Sequence, residues 1–151
     1  MPKARTDTLD AVALADRLRP VLLRLARELR REARAEGVSP SQVTLLVAIK
    51  YAPGIGLKEL AERERVTAPA ISRQVDRLVK AGFVERAESK DDRRRVGLTL
   101  TEAGRRVLRK VRSRRTVWLA QRLRLLSSSD LAALEAAIEP LARLLDGEER
   151  P

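Results

Sequence analysis

Apolar residues first recur at helical spacing near the N-terminus, where Leu14, Leu18, Leu22, Leu25 and Leu29 stand three or four positions apart. That period puts them on one stripe of a helix running from Leu9 to about Ala35, with Gly37 as its C-terminal stop. Pro20 lies inside the stripe and has no backbone donor, so a kink or a restart is expected in the first third. Ser39-Pro40 has the form of an N-cap followed by proline at the first helical position. It opens a second helix that carries Val43, Leu46, Val47 and Tyr51 and is closed by Pro53, Gly54 and Gly56.

Shorter elements follow. Leu57 to Glu64 reads as a short helix, and Thr67 caps another from Ala68 to Ala81 with Gly82 as its stop. Two short helices joined by a few residues predict a helix-turn-helix. Phe83 to Arg86 and Arg95 to Leu100 are alternating stretches separated by the charged run Ala87 to Arg94, a hairpin with a long basic tip. Thr101 caps a long amphipathic helix through Val107, Val111, Trp118 and Leu125 to about Leu126. The box Ser127-x-x-Asp130 starts a last helix carrying Leu131, Leu134, Ile138, Leu141 and Leu145, with a bend expected at Pro140. Met1 to Thr6 and Gly147 to Pro151 lack an apolar period and are expected to fray. The expected fold is mainly α with a small β-hairpin wing, a winged helix-turn-helix flanked by outer helices.

Composition narrows the chemistry. A chain of 151 residues suits one domain. Lys and Arg number 32 against 21 Asp and Glu, a formal net charge of +11 that attracts polyanions, nucleic acid first among them. No segment approaches the roughly 18 apolar residues that span a bilayer, and the N-terminus lacks the apolar run of a secretory signal. A cytoplasmic location without membrane association is the expectation. Cys and His are both absent, which removes disulfides, thiol redox sensing, the usual zinc sites and the ordinary general base. Carboxylate-only catalysis would need convergent acids, but the acids here stand mostly beside Arg or Lys at helical spacing, as on solvated faces. No enzyme, metal or cofactor site is read from the sequence.

The helix after Thr67 divides its surface. Ile71, Val75, Leu78 and Val79 share one face, and Pro69, Ser72, Arg73, Arg77 and Lys80 the other, with Thr67 and Ala68 at the leading end. Small groups allow close approach to a major groove, and Arg can bond a guanine through two donors. An ordinary solvated face is the competing reading, and the hairpin beside it shifts the balance. The tip, Ser89 to Arg95, places Lys90, Arg93, Arg94 and Arg95 on one projection, and Arg suits a narrow minor groove. Asp92 within that tip can pair with one Arg and hold its neighbour extended.

These segments resemble the MarR family of winged helix regulators along nearly the whole chain. Asp92-Arg-Arg94-Arg-Val-Gly-Leu-Thr-Leu100-Thr101-Glu-Ala-Gly104 is similar to the family's wing signature DRRxxxVxLTxxG, with Leu98 in a slot usually held by Val. Ser72-Arg73-Gln-Val75-Asp76-Arg77-Leu78 through Glu85-Arg86 resembles its recognition-helix signature SRxVDRLxxxGLVER, and Glu59-Leu60-Ala61 the start of its first short helix. The resemblance implies that Arg93 inserts into the minor groove while Asp92 and Arg94 form the ion pair that shapes the wing. Gly56 replaces a common Ser or Thr cap, Glu64 takes a commonly apolar place, and Arg65 stands where relatives have a turn glycine. A left-handed Arg65 would be mildly strained.

The outer helices, residues 9–35 and 101–146, carry more apolar surface than the 39–100 lobe can cover. The resemblance implies that they interlock with a second subunit, giving a homodimer on double-stranded DNA at a pseudo-palindromic operator whose half-sites lie about 10 base pairs apart. It also implies a repressor released by a small anionic or aromatic effector, for which Tyr51, Arg114, Arg115 and Trp118 are candidate liners. The competing class is a low-specificity architectural protein that coats DNA through net charge and has no effector.

Overall fold

The computed structural model describes residues 10–88 and 96–146. The Asp10 carboxylate opens α1 (Ala11–Arg31) by accepting from the Val12 N–H at 3.0 Å, which also sets a negative charge at the positive end of the helix. The expected restart at Pro20 does not occur. The helix runs through it, so proline removes one backbone bond without ending the element. The chain then tightens into a 3-10 turn (Glu32–Glu36), which buries Ala33 and ends at a left-handed Gly37.

Ser39 and Gln42 form a reciprocal cap at the start of α2 (Pro40–Tyr51): the Gln42 N–H donates to Ser39 Oγ at 3.2 Å and the Ser39 N–H to Gln42 Oε1 at 2.8 Å. The apolar pattern of α2 differs from the expected stripe. Leu45, Ala48 and Ile49 are buried with Val43 and Leu46, whereas Val47 and Tyr51 are exposed. A helix packed on several sides has no single apolar face for a period to mark.

The lobe continues with α3 (Leu57–Glu64) and α4 (Ala68–Lys80), which pack on each other. Next come β1 (Val84–Glu88) and β2 (Val96–Leu100), antiparallel in the register Val84 with Leu100 to Glu88 with Val96. Ile55 adds a one-residue third strand: Leu98 donates to the Ile55 carbonyl at 2.9 Å, and the Gly54 N–H donates to the Leu98 carbonyl at 2.8 Å. A Cβ at Gly97 would sit 2.5 Å from the Gly54 carbonyl oxygen, so glycine lets that loop close on the sheet.

The helix α5 (Glu102–Leu123) starts at Thr101, whose Oγ1 accepts from the Gly104 N–H at 3.0 Å and donates to the Gly82 carbonyl at 2.6 Å. One hydroxyl thus joins the end of α4 to the start of α5. A Cβ at Gly104 would meet the Phe83 carbonyl oxygen at 2.1 Å, so this crossing also requires glycine. The helix stops slightly short of the expected Leu126, and Arg124–Leu126 form a turn. Ser127 Oγ then accepts from the Asp130 N–H at 3.1 Å to cap α6 (Ser128–Arg143), which runs through Pro140 and ends before Leu145.

By compactness the chain forms two units, and the division falls within α5 between Arg115 and Thr116. The core belongs to the first, with Leu46, Ile49, Leu60, Ile71, Val75 and Leu78 all fully buried. In the second, no residue of α6 is buried.

Candidate nucleic-acid interface

The candidate interface is built on α4. Its N-cap Thr67 accepts from the Ala70 N–H at 3.4 Å, and Pro69 in the first turn lacks a donor that the helix would leave unpaired there anyway. Ile71, Val75 and Leu78 are each 0% exposed, while Val79 is half-buried against the same core. The other side shows Thr67, Ala68, Pro69, Arg73, Arg77 and Lys80 to solvent, with Ser72 half-buried. Arg73, Arg77 and Lys80 stand four and three residues apart and form one cationic stripe. All seven candidates on this helix therefore stay outside the core.

The turn leading into α4 adopts the conformation expected of a glycine without having one. Arg65 has φ 54° and ψ 40°, and among the described residues it is the one non-glycine with positive φ. The Arg65 and Val66 N–H groups donate to the Glu62 and Ala61 carbonyls at 3.2 and 3.1 Å, closing α3 before Thr67. Gly56 gives α3 no side-chain cap bond.

Two side-chain clusters that the sequence reading did not identify join neighbouring elements, one between α4 and β1 and one between α5 and β2. Arg86 Nη2 on β1 lies 2.6 Å from Asp76 Oδ1 on α4, so the face of the helix is keyed to the strand that leads to the hairpin tip. On α5, Glu102 accepts from Arg109 Nη2 at 2.8 Å and from Arg105 Nε at 3.2 Å, while Arg105 Nη1 donates to the Leu100 carbonyl of β2 at 2.9 Å. The hydrogen bonds from Arg109 and then Arg105 hold the Glu102 carboxyl below the ordinary carboxylate range. Any stability from this fork is present above that range and is lost as pH falls through the lowered value.

Five candidates on the tip, Lys90, Asp92, Arg93, Arg94 and Arg95, lie outside the described residues, as does the expected Asp92–Arg94 pair.

The four candidate effector liners have separate surroundings. Arg114 faces Glu32 at 3.4 Å and Glu36 at 3.8 Å, and Arg115 Nε donates to the Leu29 carbonyl at 3.0 Å, so both tie α5 to the N-terminal helix and its 3-10 turn. Tyr51 is 70% exposed, with Lys50 Nζ 5.2 Å from its ring centre. Trp118 belongs to the second unit, where the Arg122 guanidinium stacks 3.7 Å from its ring centre. Among the described residues, no group of three or more acids could hold a metal ion, and no helix is long and apolar enough to cross a membrane.

Residues 38–96, spanning α2 to the start of β2, match the model of the MarR family. An HTH-type transcriptional regulator of Mycobacterium tuberculosis is 34% identical over 133 residues, which cover 88% of this chain and 93% of the relative. The chain belongs to the MarR family. MdtR, an HTH-type transcriptional repressor of Bacillus subtilis, is 25% identical over 88% of this chain and 86% of its own length. The crystal structure of a Pseudomonas aeruginosa protein, 34% identical, superposes with a TM-score of 0.76 over 91% of this chain and 96% of the other. The molecule is thus a MarR-family transcriptional regulator with a DNA-binding fold. Its class is a regulatory one, not an enzymatic one.

Proposed function

We propose that the protein is a homodimeric, sequence-specific repressor that places α4 in the major groove and the hairpin tip in the adjoining minor groove. The observation that carries this reading is the division of α4: Ile71, Val75 and Leu78 anchor the helix, while Arg73, Arg77 and Lys80 project from it beside small groups. Thr67, Ala68, Pro69 and Ser72 give close approach at its leading end. Lys90, Arg93, Arg94 and Arg95 form the wing, Arg93 entering the groove while Asp92 restrains Arg94.

The apolar faces of the outer helices support the dimer. Neither α1 nor α6 buries a residue, although Val12, Leu23, Leu134 and Ile138 are 46–70% exposed. In this reading residues 9–35 and 101–146 dimerise, residues 39–100 bind DNA, and all 151 residues act as one domain. Repression is favoured by the likeness to MdtR. Its relief is assigned to a small anionic or aromatic effector that prefers dimers with misplaced recognition helices, with Tyr51, Arg114, Arg115 and Trp118 as candidate contacts.

The test is a ratio. An operator selected from random duplex should bind ~10³-fold or more tightly than the unselected pool at physiological salt. In the same assay Arg73→Ala should lower operator affinity by roughly 1–3 kcal/mol and relax preference at one base pair. A ratio near one would favour the second reading, low-specificity coating driven by the +11 charge.

A further inference from the structure

The end of α4 is closed locally and then held from a distance. The Gly82 N–H donates to the Val79 carbonyl and the Phe83 N–H to the Leu78 carbonyl, both at 2.9 Å, with Gly82 left-handed at φ 77°. The carbonyls of the same two residues are taken by Thr101: its Oγ1 donates to Gly82 at 2.6 Å, and its N–H donates to Phe83 at 3.1 Å. Gly82 and Thr101 are 19 residues apart, with the whole hairpin between them. Thr101 Oγ1 also accepts from the Gly104 N–H at 3.0 Å, so the hydroxyl that holds the end of α4 caps α5 as well. A side chain at Gly104 would overlap the Phe83 carbonyl, so the first turn of α5 lies directly on this joint.

From the joint, α5 runs to α1. About four turns beyond Thr101, Arg115 Nε donates to the Leu29 carbonyl at 3.0 Å, and Arg114 faces Glu32 at 3.4 Å and Glu36 at 3.8 Å. The helix α5 is thus fixed to α4 at its start and to α1 and its 3-10 turn further along. It stands between the helix proposed to enter DNA and a helix proposed to dimerise.

We propose that Thr101 is a positioning residue whose hydroxyl sets the angle of α4 on α5 and so the separation of the two recognition helices in the dimer. The proposal rests on the dimeric reading above, but Thr101 is none of the residues assigned there to meet DNA. A hydroxyl suits the joint because one atom both donates and accepts, which an alkyl group of the same shape cannot do. The bond from the Thr101 N–H does not depend on the side chain, so losing the hydroxyl loosens the joint without opening it. Each lobe then keeps its own DNA-facing surface, because Ile71, Val75 and Leu78 still anchor α4. What weakens is the register of one lobe with the other. Half-site spacing follows from dimer geometry, so selectivity for spacing is the property that Thr101 sets.

The experiment uses the full chain and three duplexes: an operator selected from random sequence, the same operator with two base pairs inserted between its half-sites, and a duplex carrying one half-site. Thr101→Val and Thr101→Ala both remove the hydroxyl, and Thr101→Ser keeps it. Circular dichroism melts establish that each variant is folded at the assay temperature. Without the hydroxyl, the preference for the selected operator over the inserted one should shrink roughly fivefold, the worth of one hydrogen bond. The single half-site should be bound as by the unaltered chain, and Thr101→Ser should retain the full preference. A folded Val or Ala variant with undiminished preference overturns the proposal. So does an equal loss on all three duplexes, or a failure of both variants to fold, since the hydroxyl would then serve α4 or the fold in general. If the unaltered chain itself shows no spacing preference, the dimeric reading falls and takes the proposal with it.

Discussion

Every buried side chain among the described residues lies between Ala33 and Val111, whereas α1 and α6 bury none. Both regions are rich in Leu, Ile and Val at helical spacing, yet only one of them makes a core from its own residues. A helical period reports that one face is apolar and is silent about what covers it. The contrast therefore separates a lobe that holds itself together from helices whose apolar faces this chain leaves uncovered.

The largest effects should come from attacking the lobe. Leu46 is fully buried on α2, and Leu46→Ala should cost about 2–5 kcal/mol in urea unfolding. If the lobe is self-sufficient, that loss should not change with protein concentration. Ile138, 60% exposed on α6, should behave in the opposite way. Ile138→Ala is expected to remove about 1–2 kcal/mol per subunit of association, read as a monomer population that grows on dilution in sedimentation experiments. An equal, concentration-independent loss at both positions would erase the distinction between the regions.

What could be read from the sequence follows the same line between local and non-local causes. The caps at Ser39, Thr67 and Ser127 were legible because an N-cap acts on N–H groups two or three residues away. The faces of α4 were legible because they follow from 3.6 residues per turn. The Ile55–Leu98 bridge was not, since one residue of strand has no period. Nor was the Asp76–Arg86 contact, which joins two elements ten residues apart in a chain with 32 cations to choose among. The burial of Leu45, Ala48 and Ile49 on α2 escaped notice because a surrounded helix shows no stripe.

The Asp76–Arg86 pair sharpens the comparison within the lobe. Both side chains are substantially exposed, 59% and 39%, so solvent screening limits their worth to stability. Arg86→Gln should cost no more than about 1 kcal/mol of unfolding free energy. Its clearer signature should be in a double-mutant cycle with Asp76→Asn on duplex affinity. A non-zero coupling would show that α4 and β1 act together on the duplex, and additive effects would show that the contact only decorates the surface.

The smallest expected effect sits at Arg65, where the lobe departs from its own local rules. An L-residue in the left-handed region costs about 1–2 kcal/mol because Cβ crowds the following carbonyl, while glycine there forfeits roughly 0.5–1 kcal/mol of backbone entropy on folding. The difference favours glycine, so Arg65→Gly should raise stability by about 0.5 kcal/mol. That gain should appear in the unfolding midpoint of the lobe and leave the concentration dependence of association untouched, because the turn closes α3 within the lobe. If Arg65→Gly instead destabilises the protein, the guanidinium has a stabilising role that outweighs the strain. Its loss should then also be felt in duplex affinity, since this turn sets where α4 begins.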